Sequence, residues 1–169
     1  VCDNATKFSL TTPEPWYQDL RHWIQIIRTD LTLTCPDVVR LTSALSMGLR
    51  FTDDSTIIQL NTSWRQKTEK TDVLSFPVFD EGIALLEGES VELGDIVVSI
   101  PTAQRQAQEM KHDLLVELRW LVSHGLLHLL GWDHPSPTRL NEMLSCQNRL
   151  LGINSTFHHL GETCLKIAD

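Results

Sequence analysis

The chain is predicted to fold as a small α+β domain: a mixed sheet of about four strands covered by helices, with one helix buried at the centre. Three observations point there. Segments of helical and alternating periodicity run helix, strand, helix, strand, strand, helix, helix, helix, an order that fits no regular doubly wound sheet. From Leu114 to Leu130 the chain is apolar on nearly every side, the pattern of a helix enclosed by its own domain. The totals are those of an ordinary globular protein: 169 residues, 41% hydrophobic and 21% charged. That length suits one domain over 1–169, with a core that needs no staples.

The first dozen residues are polar and carry no pattern. Thr12-Pro13 reads as the N-cap and first residue of a helix. Trp16, Leu20, Trp23, Ile24 and Ile27 then recur on one face, a stripe that reads as core packing. Residues 30–43 fit no single pattern, with Cys35-Pro36-Asp37 as a turn. Leu45, Met47, Leu49 and Phe51 alternate with Ser46, Gly48 and Arg50, the period of a half-buried strand. Thr52-Asp53-Asp54 caps the next helix with carboxylates at the positive end of its dipole, and Ile57, Leu60 and Trp64 are its expected buried face. A charged stretch, Arg65-Gln66-Lys67-Thr68-Glu69-Lys70, leads into a strand, Val73-Leu74-Ser75-Phe76-Pro77. Pro77 argues for an edge or terminal position.

Asp80, Glu81, Glu87, Glu89 and Glu92 make 80–92 a solvated acidic loop without metal-ligand spacing. Ile96-Val97-Val98 is a short buried strand, Pro101 opens a helix, and Gln104 to Lys111 suit a surface position. After the central apolar helix, Thr138 to Leu151 forms a last helix with Leu140, Met143, Leu144 and Leu150 inward, stopped at Gly152. The tail from Asn154 to Asp169 is extra to this plan. Its His158-His159 and Cys164 lack a further ligand at sensible spacing for a second metal site.

Composition narrows the function. Cys2, Cys35, Cys146 and Cys164 form no C-x-x-C pair, so neither a disulfide framework nor a zinc ribbon is expected, and a reducing compartment is the simpler reading. No apolar run approaches the ~18–20 residues of a membrane span, and the N-terminus lacks a charged-then-apolar signal pattern. The chain opens on Val1 rather than Met, which leaves room for sequence upstream. A cytoplasmic setting and no membrane partner are expected. The net charge of −8, from 14 Lys+Arg against 22 Asp+Glu, argues against a sequence-blind nucleic-acid coat. It is compatible with an enzyme acting on RNA through one local basic pocket.

The chemistry lies in His124-Gly125-Leu126-Leu127-His128-Leu129-Leu130-Gly131-Trp132-Asp133-His134. Two histidines four apart on a helix share one face, a turn apart. Gly131 is suited to stop that helix in the left-handed conformation, so that the chain doubles back through Trp132-Asp133 and brings His134 towards the first two rings. Three converging neutral imidazoles make a Zn²⁺-type site with a fourth position open, as in catalytic rather than structural zinc. One ion per chain is expected, held by His124, His128 and His134. Asp133 is placed to hold an imidazole N–H from outside the ligand set.

The His-x₃-His-x₅-His spacing is that of the metzincin proteases, in which the residue after the first histidine is the general base, Glu. Here it is Gly125, so a metallopeptidase is the second reading. Arg65 and Lys67 sit between a helix end and a strand, where a planar fork and a mobile point charge can grip phosphate. With a metal opposite, that is a recipe for phosphodiester hydrolysis. Spacing alone favours reading Arg65, Lys67 and Lys70 as a solvated charged loop.

The metal block, together with Asn61-x-x-Trp64-Arg65 running into Thr71-Asp72-Val73-Leu74-Ser75-Phe76-Pro77, and Leu93-Gly94-Asp95-Ile96-Val97-Val98-Ser99, resembles the YbeY family of metal-dependent endoribonucleases. The resemblance spans roughly residues 44 to 153, and Thr102-Ala103-Gln104-Arg105-Gln106-Ala107 is similar in flavour to bacterial, cyanobacterial members. It implies that His124, His128 and His134 bind zinc, with His124 counted among the catalytic residues. It further implies that Arg65 is catalytic or contacts phosphate, and that Lys67 helps to bind substrate. The implied activity is single-strand-specific endoribonuclease action in 16S ribosomal RNA 3′-end maturation and ribosome quality control. The implied partners are single-stranded ribosomal RNA and the small ribosomal subunit or its assembly factors, not DNA. One departure concerns the loop before Thr71: Thr68, Glu69 and Lys70 stand where members usually carry an acidic residue, Lys and Pro. A third reading, a non-catalytic ribosome assembly factor with structural zinc, predicts a closed fourth coordination position.

Overall fold

In the computed structural model, residues 12–78 and 90–153 are described. The acidic stretch up to residue 89 and the tail with His158, His159 and Cys164 lie outside them. In chain order the elements are α1 (Pro13–Thr29), α2 (Asp37–Leu41), β1 (Leu45–Thr52), α3 (Asp54–Arg65), β2 (Val73–Pro77), β3 (Val91–Ser99), α4 (Ile100–Met110), α5 (Leu114–Leu129) and α6 (Pro137–Leu151).

Among the described residues the sheet has three strands rather than about four, in the order β1-β3-β2. It is mixed: β1 pairs parallel to β3, and β2 pairs antiparallel to it. The unassigned stretch 30–43 adds no strand, because two arginines tie it into a turn and a short helix. The Arg40 guanidinium donates to the carbonyls of Ile27, Arg28 and Leu33, and that of Arg28 to the carbonyls of Val39 and Thr42.

β3 is longer than the three apolar residues that announce it, running from Val91 to Ser99. As the central strand, paired on both edges, it buries Val91, Leu93, Ile96, Val97 and Val98 and leaves Glu92 and Asp95 exposed. Gly94 has φ +118 where β3 meets the end of the edge strand β2. A Cβ there would lie 2.0 Å from the Phe76 carbonyl oxygen, so the two backbones approach only because the residue is Gly.

Side chains alternate across the sheet. Ser75 and Ile96 face α5, against its Gly125. Phe51 lies on the same face and meets Trp16 of α1, with ring centroids 5.3 Å apart. Phe76 points to the other face, where Trp64 of α3 meets it. Asp53 caps α3 by accepting from the Thr56 N–H at 2.7 Å. Of the face expected to be buried on α3, Ile57 is fully buried and Leu60 half-buried, but Trp64 is 70% exposed. The inward position one turn after Ile57 is Asn61, whose amide donates to the Glu69 carbonyl at 2.9 Å and holds the following loop.

α5 is the central helix of the expectation. Leu118, Trp120, Leu121, Val122, Leu126, Leu127 and Leu129 are all buried, against β2, β3, α4 and α6. Its buried Glu117 meets His112 at 2.6 Å. α6 is capped by Ser136, which accepts from the Arg139 N–H, and turns Met143, Cys146, Gln147 and Leu150 inward. Leu140 and Leu144 are only half-buried.

Candidate metal centre

His124 and His128 stand a turn apart at the C-terminal end of α5. The helix ends in a Schellman turn: Gly131 takes φ +84, its N–H reaches the His128 carbonyl at 3.0 Å, and the Trp132 N–H reaches the Leu127 carbonyl at 3.0 Å. Two further bonds fix the returning chain. The Trp132 indole N–H donates to the Thr34 carbonyl at 3.0 Å, and the Asp133 carboxylate accepts from the His134 N–H at 2.8 Å. The three histidines arrive together, with one ring nitrogen of each within 4.8 Å of the others.

Hydrogen bonds set the tautomers. Nδ1–H of His128 donates to the Trp132 carbonyl at 2.9 Å. Gln147, fully buried on α6, donates its amide N–H to the Trp120 carbonyl at 2.8 Å, which turns its Oε1 towards His124 Nδ1 at 3.4 Å. With both Nδ1 atoms acting as donors, the two Nε2 atoms carry lone pairs, and they face each other 3.1 Å apart. His134 Nε2 is buried and has no hydrogen-bond partner among the described residues. Two opposed lone pairs and an orphaned buried nitrogen are costly alone and are resolved by a shared cation. Three neutral imidazoles form a donor set for Zn²⁺ or another borderline cation, so the residues present fit a metal ion.

The electrostatics agree. Burial, the neighbouring His128 and the nearby His134 push the His124 imidazole down to about 3. Burial and His134 also lower His128, against the opposing pull of its bond to the Trp132 carbonyl and of the Asp133 charge. Both rings are therefore neutral at pH 7, as ligands must be.

Asp133 does not hold an imidazole, contrary to the expectation. Its carboxylate turns back onto the N–H of the next residue, the local bond that a short Asp side chain in a turn makes most readily. The two imidazole N–H partners are Gln147 and the Trp132 carbonyl. Gln147 went unnoticed in the sequence, although it is a polar residue on the inward spacing Met143, Gln147, Leu150 of an amphipathic helix.

Gly125 faces the sheet. A Cβ on it would lie 2.9 Å from Ile96 Cγ2 and 3.1 Å from Ser75 Oγ, and the Ser75 hydroxyl donates to its carbonyl at 3.2 Å. A carboxylate at this position would enter the packed interface, so the general base of a peptidase has no place there.

Arg65 ends α3, is exposed, and makes no hydrogen bond or ion pair among the described residues. Its positive charge contributes to lowering His128, which puts the guanidinium within electrostatic reach of the triad. Gln66 turns the chain with φ +58, and half-buried Lys67 follows. The Lys67 main chain is held by the Asn61 carbonyl and the Thr62 hydroxyl, and among the described residues no interaction joins its ammonium to the histidines.

The family model described as Endoribonuclease YbeY matches residues 11–154. A protein of Prochlorococcus marinus (strain MIT 9313) with that description is 60% identical over 159 residues, covering 94% of this chain and 85% of its own length. Another, from Synechococcus sp. (strain CC9605), is 61% identical over 137 residues, covering 81% of this chain and 82% of its own. The solution structure of a Thermotoga maritima protein matches in fold with a TM-score of 0.50 at 22% identity, covering 82% of this chain and 81% of that one. A family-model match over 11–154 and relatives at 60–61% identity over most of the chain leave one assignment: the chain belongs to the endoribonuclease YbeY family.

Proposed function

We propose that this chain, acting as one unit over 1–169, is a zinc-dependent endoribonuclease that cuts single-stranded RNA. The observation that carries the reading is the juxtaposition of three imidazoles, their lone pairs unspent, with a guanidinium that has no partner among the described residues and lies within electrostatic reach. His124, His128 and His134 would hold one zinc per chain. Bound there, the ion supplies Lewis acidity towards water or a phosphoryl oxygen. Gln147 and the Trp132 carbonyl hold two of the rings in the required tautomer. Arg65 binds the scissile phosphate through its planar fork and steadies charge that develops on it, and Lys67 adds a second positive charge on the approach. In a chain of net charge −8, this local cationic edge selects where a polyanion can land.

The cellular setting we propose is the cytoplasm, in 16S ribosomal RNA 3′-end maturation and ribosome quality control, with the small ribosomal subunit or its assembly factors as partners. No helix among the described residues is long and apolar enough to cross a membrane.

The test is cleavage of a single-stranded oligoribonucleotide by zinc-loaded protein, with and without chelator. Chelator, His124→Ala and Arg65→Ala are each expected to abolish cleavage with the fold retained. Chelator-sensitive casein cleavage without RNase activity would favour the peptidase. A zinc edge spectrum showing four protein ligands would favour the assembly factor.

A further inference from the structure

Resting on the nuclease reading, we propose that Trp64, propped by Phe76, is a stacking shelf for an unpaired base of the RNA whose phosphate Arg65 holds. Three other tryptophans of this chain are in its core: Trp16 and Trp23 are 3% exposed and Trp120 is 7% exposed. Trp64 is 70% exposed, on the last turn of α3 immediately before Arg65. Its ring meets Phe76 edge-on, with centroids 5.8 Å apart and planes at 63°, and that contact with the edge strand braces the indole. The strand carrying Phe76 touches the metal helix with its opposite face, where Ser75, the residue before it, donates to the Gly125 carbonyl. A braced, open indole adjoining an exposed guanidinium complements one nucleotide: a π-face for the base and a fork for the phosphate.

The shelf also accounts for a preference for single strands. A base within a duplex is stacked on both faces and cannot lie on an indole, whereas an unpaired base has a face to give. Trp64 is thus a substrate-positioning residue that selects strand state without reading sequence, since every base has a π-face.

The experiment measures binding of full-length, zinc-loaded protein to a 2′-O-methylated oligoadenylate and to an abasic strand of equal length. Trp64→Ala is expected to weaken oligoadenylate binding by about 5- to 140-fold, the range for loss of one stacked base. Binding of the abasic strand should stay unchanged, and Trp64→Phe should restore most of the affinity. A second readout needs no variant: oligoadenylate should quench wild-type tryptophan emission and shield it from acrylamide, and the abasic strand should do neither. Equal affinity of wild type and Trp64→Ala for oligoadenylate, with the wild type still cleaving RNA, would overturn the shelf and leave the nuclease standing. An equal loss for both strands would show that Trp64 only shapes the helix end, and would also overturn it. Failure of the wild type to bind or cut any strand would remove the nuclease reading and the shelf with it.

Discussion

The replacement Gln147→Leu separates the metal-holding role of the triad from its role in the fold. Gln147 is fully buried, and its two hydrogen bonds differ in quality. The one to the Trp120 carbonyl is 2.8 Å long, whereas the one from His124 Nδ1 is 3.4 Å, near the limit of such a bond. The Trp120 carbonyl also accepts from the Ser123 hydroxyl at 2.9 Å, so it is not orphaned by the change. The imidazole can move its proton to Nε2, where the His128 Nε2 lone pair waits at 3.1 Å. Leu is close to Gln in volume, so the metal-free protein should lose no more than about 1 kcal/mol. Zinc then meets a protonated nitrogen in place of a lone pair. Loss of such a supporting bond typically costs about 10- to 100-fold in metal affinity, or roughly 1.4–2.7 kcal/mol. A competition titration against a chromophoric chelator reads the affinity, urea unfolding of the metal-free protein reads stability, and imidazole ¹⁵N shifts read the tautomer. Gln147→Glu keeps the acceptor and should restore the affinity while lowering the stability of the metal-free protein. Unchanged zinc affinity in Gln147→Leu, with the His124 proton still on Nδ1, would refute the reasoning.

Other outcomes follow from the same structure. Arg65→Ala removes an exposed side chain with no bonds among the described residues, so urea unfolding should shift by less than about 0.5 kcal/mol while oligoribonucleotide cleavage falls at least ~100-fold. Gly125→Ala gains about 1 kcal/mol of helix propensity but forces a methyl against fully buried Ile96 at 2.9 Å, an overpacking worth about 1–3 kcal/mol. A net loss in urea unfolding is expected, and a gain would show that the helix need not approach the sheet so closely. Burial raises the Asp54 carboxyl, but bonds from Ser99, Thr102 and Arg105 outweigh it and bring the group down to about 2. Because the folded value lies below the unfolded one, ionised Asp54 stabilises the fold above about pH 4 and that contribution drains away as pH falls towards 2. Asp54→Asn should therefore cost about 1–2 kcal/mol at pH 7, after discounting for solvent at the half-exposed Arg105, and much less at pH 2, read by urea unfolding at both values.

What the sequence revealed about the site was its local part. His124, His128 and Gly131 belong to one helix and its cap, whose geometry follows from spacing, and His134 follows from the turn that the cap dictates. Gln147 was not legible in that way, because it reaches His124 from a different helix, and nothing within α6 says which element its inward face will meet. Asp133 was misread for the opposite reason. Adjacency to a ligand suggested an imidazole partner, but a short carboxylate in a turn reaches the next main-chain N–H first. The same division holds for the fold. Alternation marked β1 and an apolar run ending at Pro77 marked β2, whereas the full length of β3 was hidden by Glu92 and Asp95, which interrupt the apolar run of a strand covered on both faces. Trp64 sits at helical spacing from Ile57 and reads as core, and only the position of the edge strand shows that the indole stays open.

The facing of Gly125 explains why one histidine spacing serves two chemistries. Successive helical residues are turned by about 100°, so the residue after the first histidine stands beside the ligand face, and what it packs against decides whether its side chain can reach the ligands. On α5 that direction runs into Ile96 and Ser75, because the helix lies directly on β2 and β3. A general base from this position is closed off, and the charged group within electrostatic reach of the triad from α3 is a guanidinium instead. Three neutral imidazoles cancel none of the charge of a divalent ion, and Arg65 adds to it, so the site as proposed is a concentrated positive field, opposed at its rim by the Asp133 carboxylate. A neutral peptide bond gains little from such a field before it is attacked. A phosphodiester carries its charge into the site and gathers more on its equatorial oxygens during displacement, so the field strengthens its hold where the barrier lies. The closed general-base position, set by which face of one helix the sheet covers, together with a guanidinium that matches an anionic substrate, is the physical ground for assigning RNA rather than peptide to this triad.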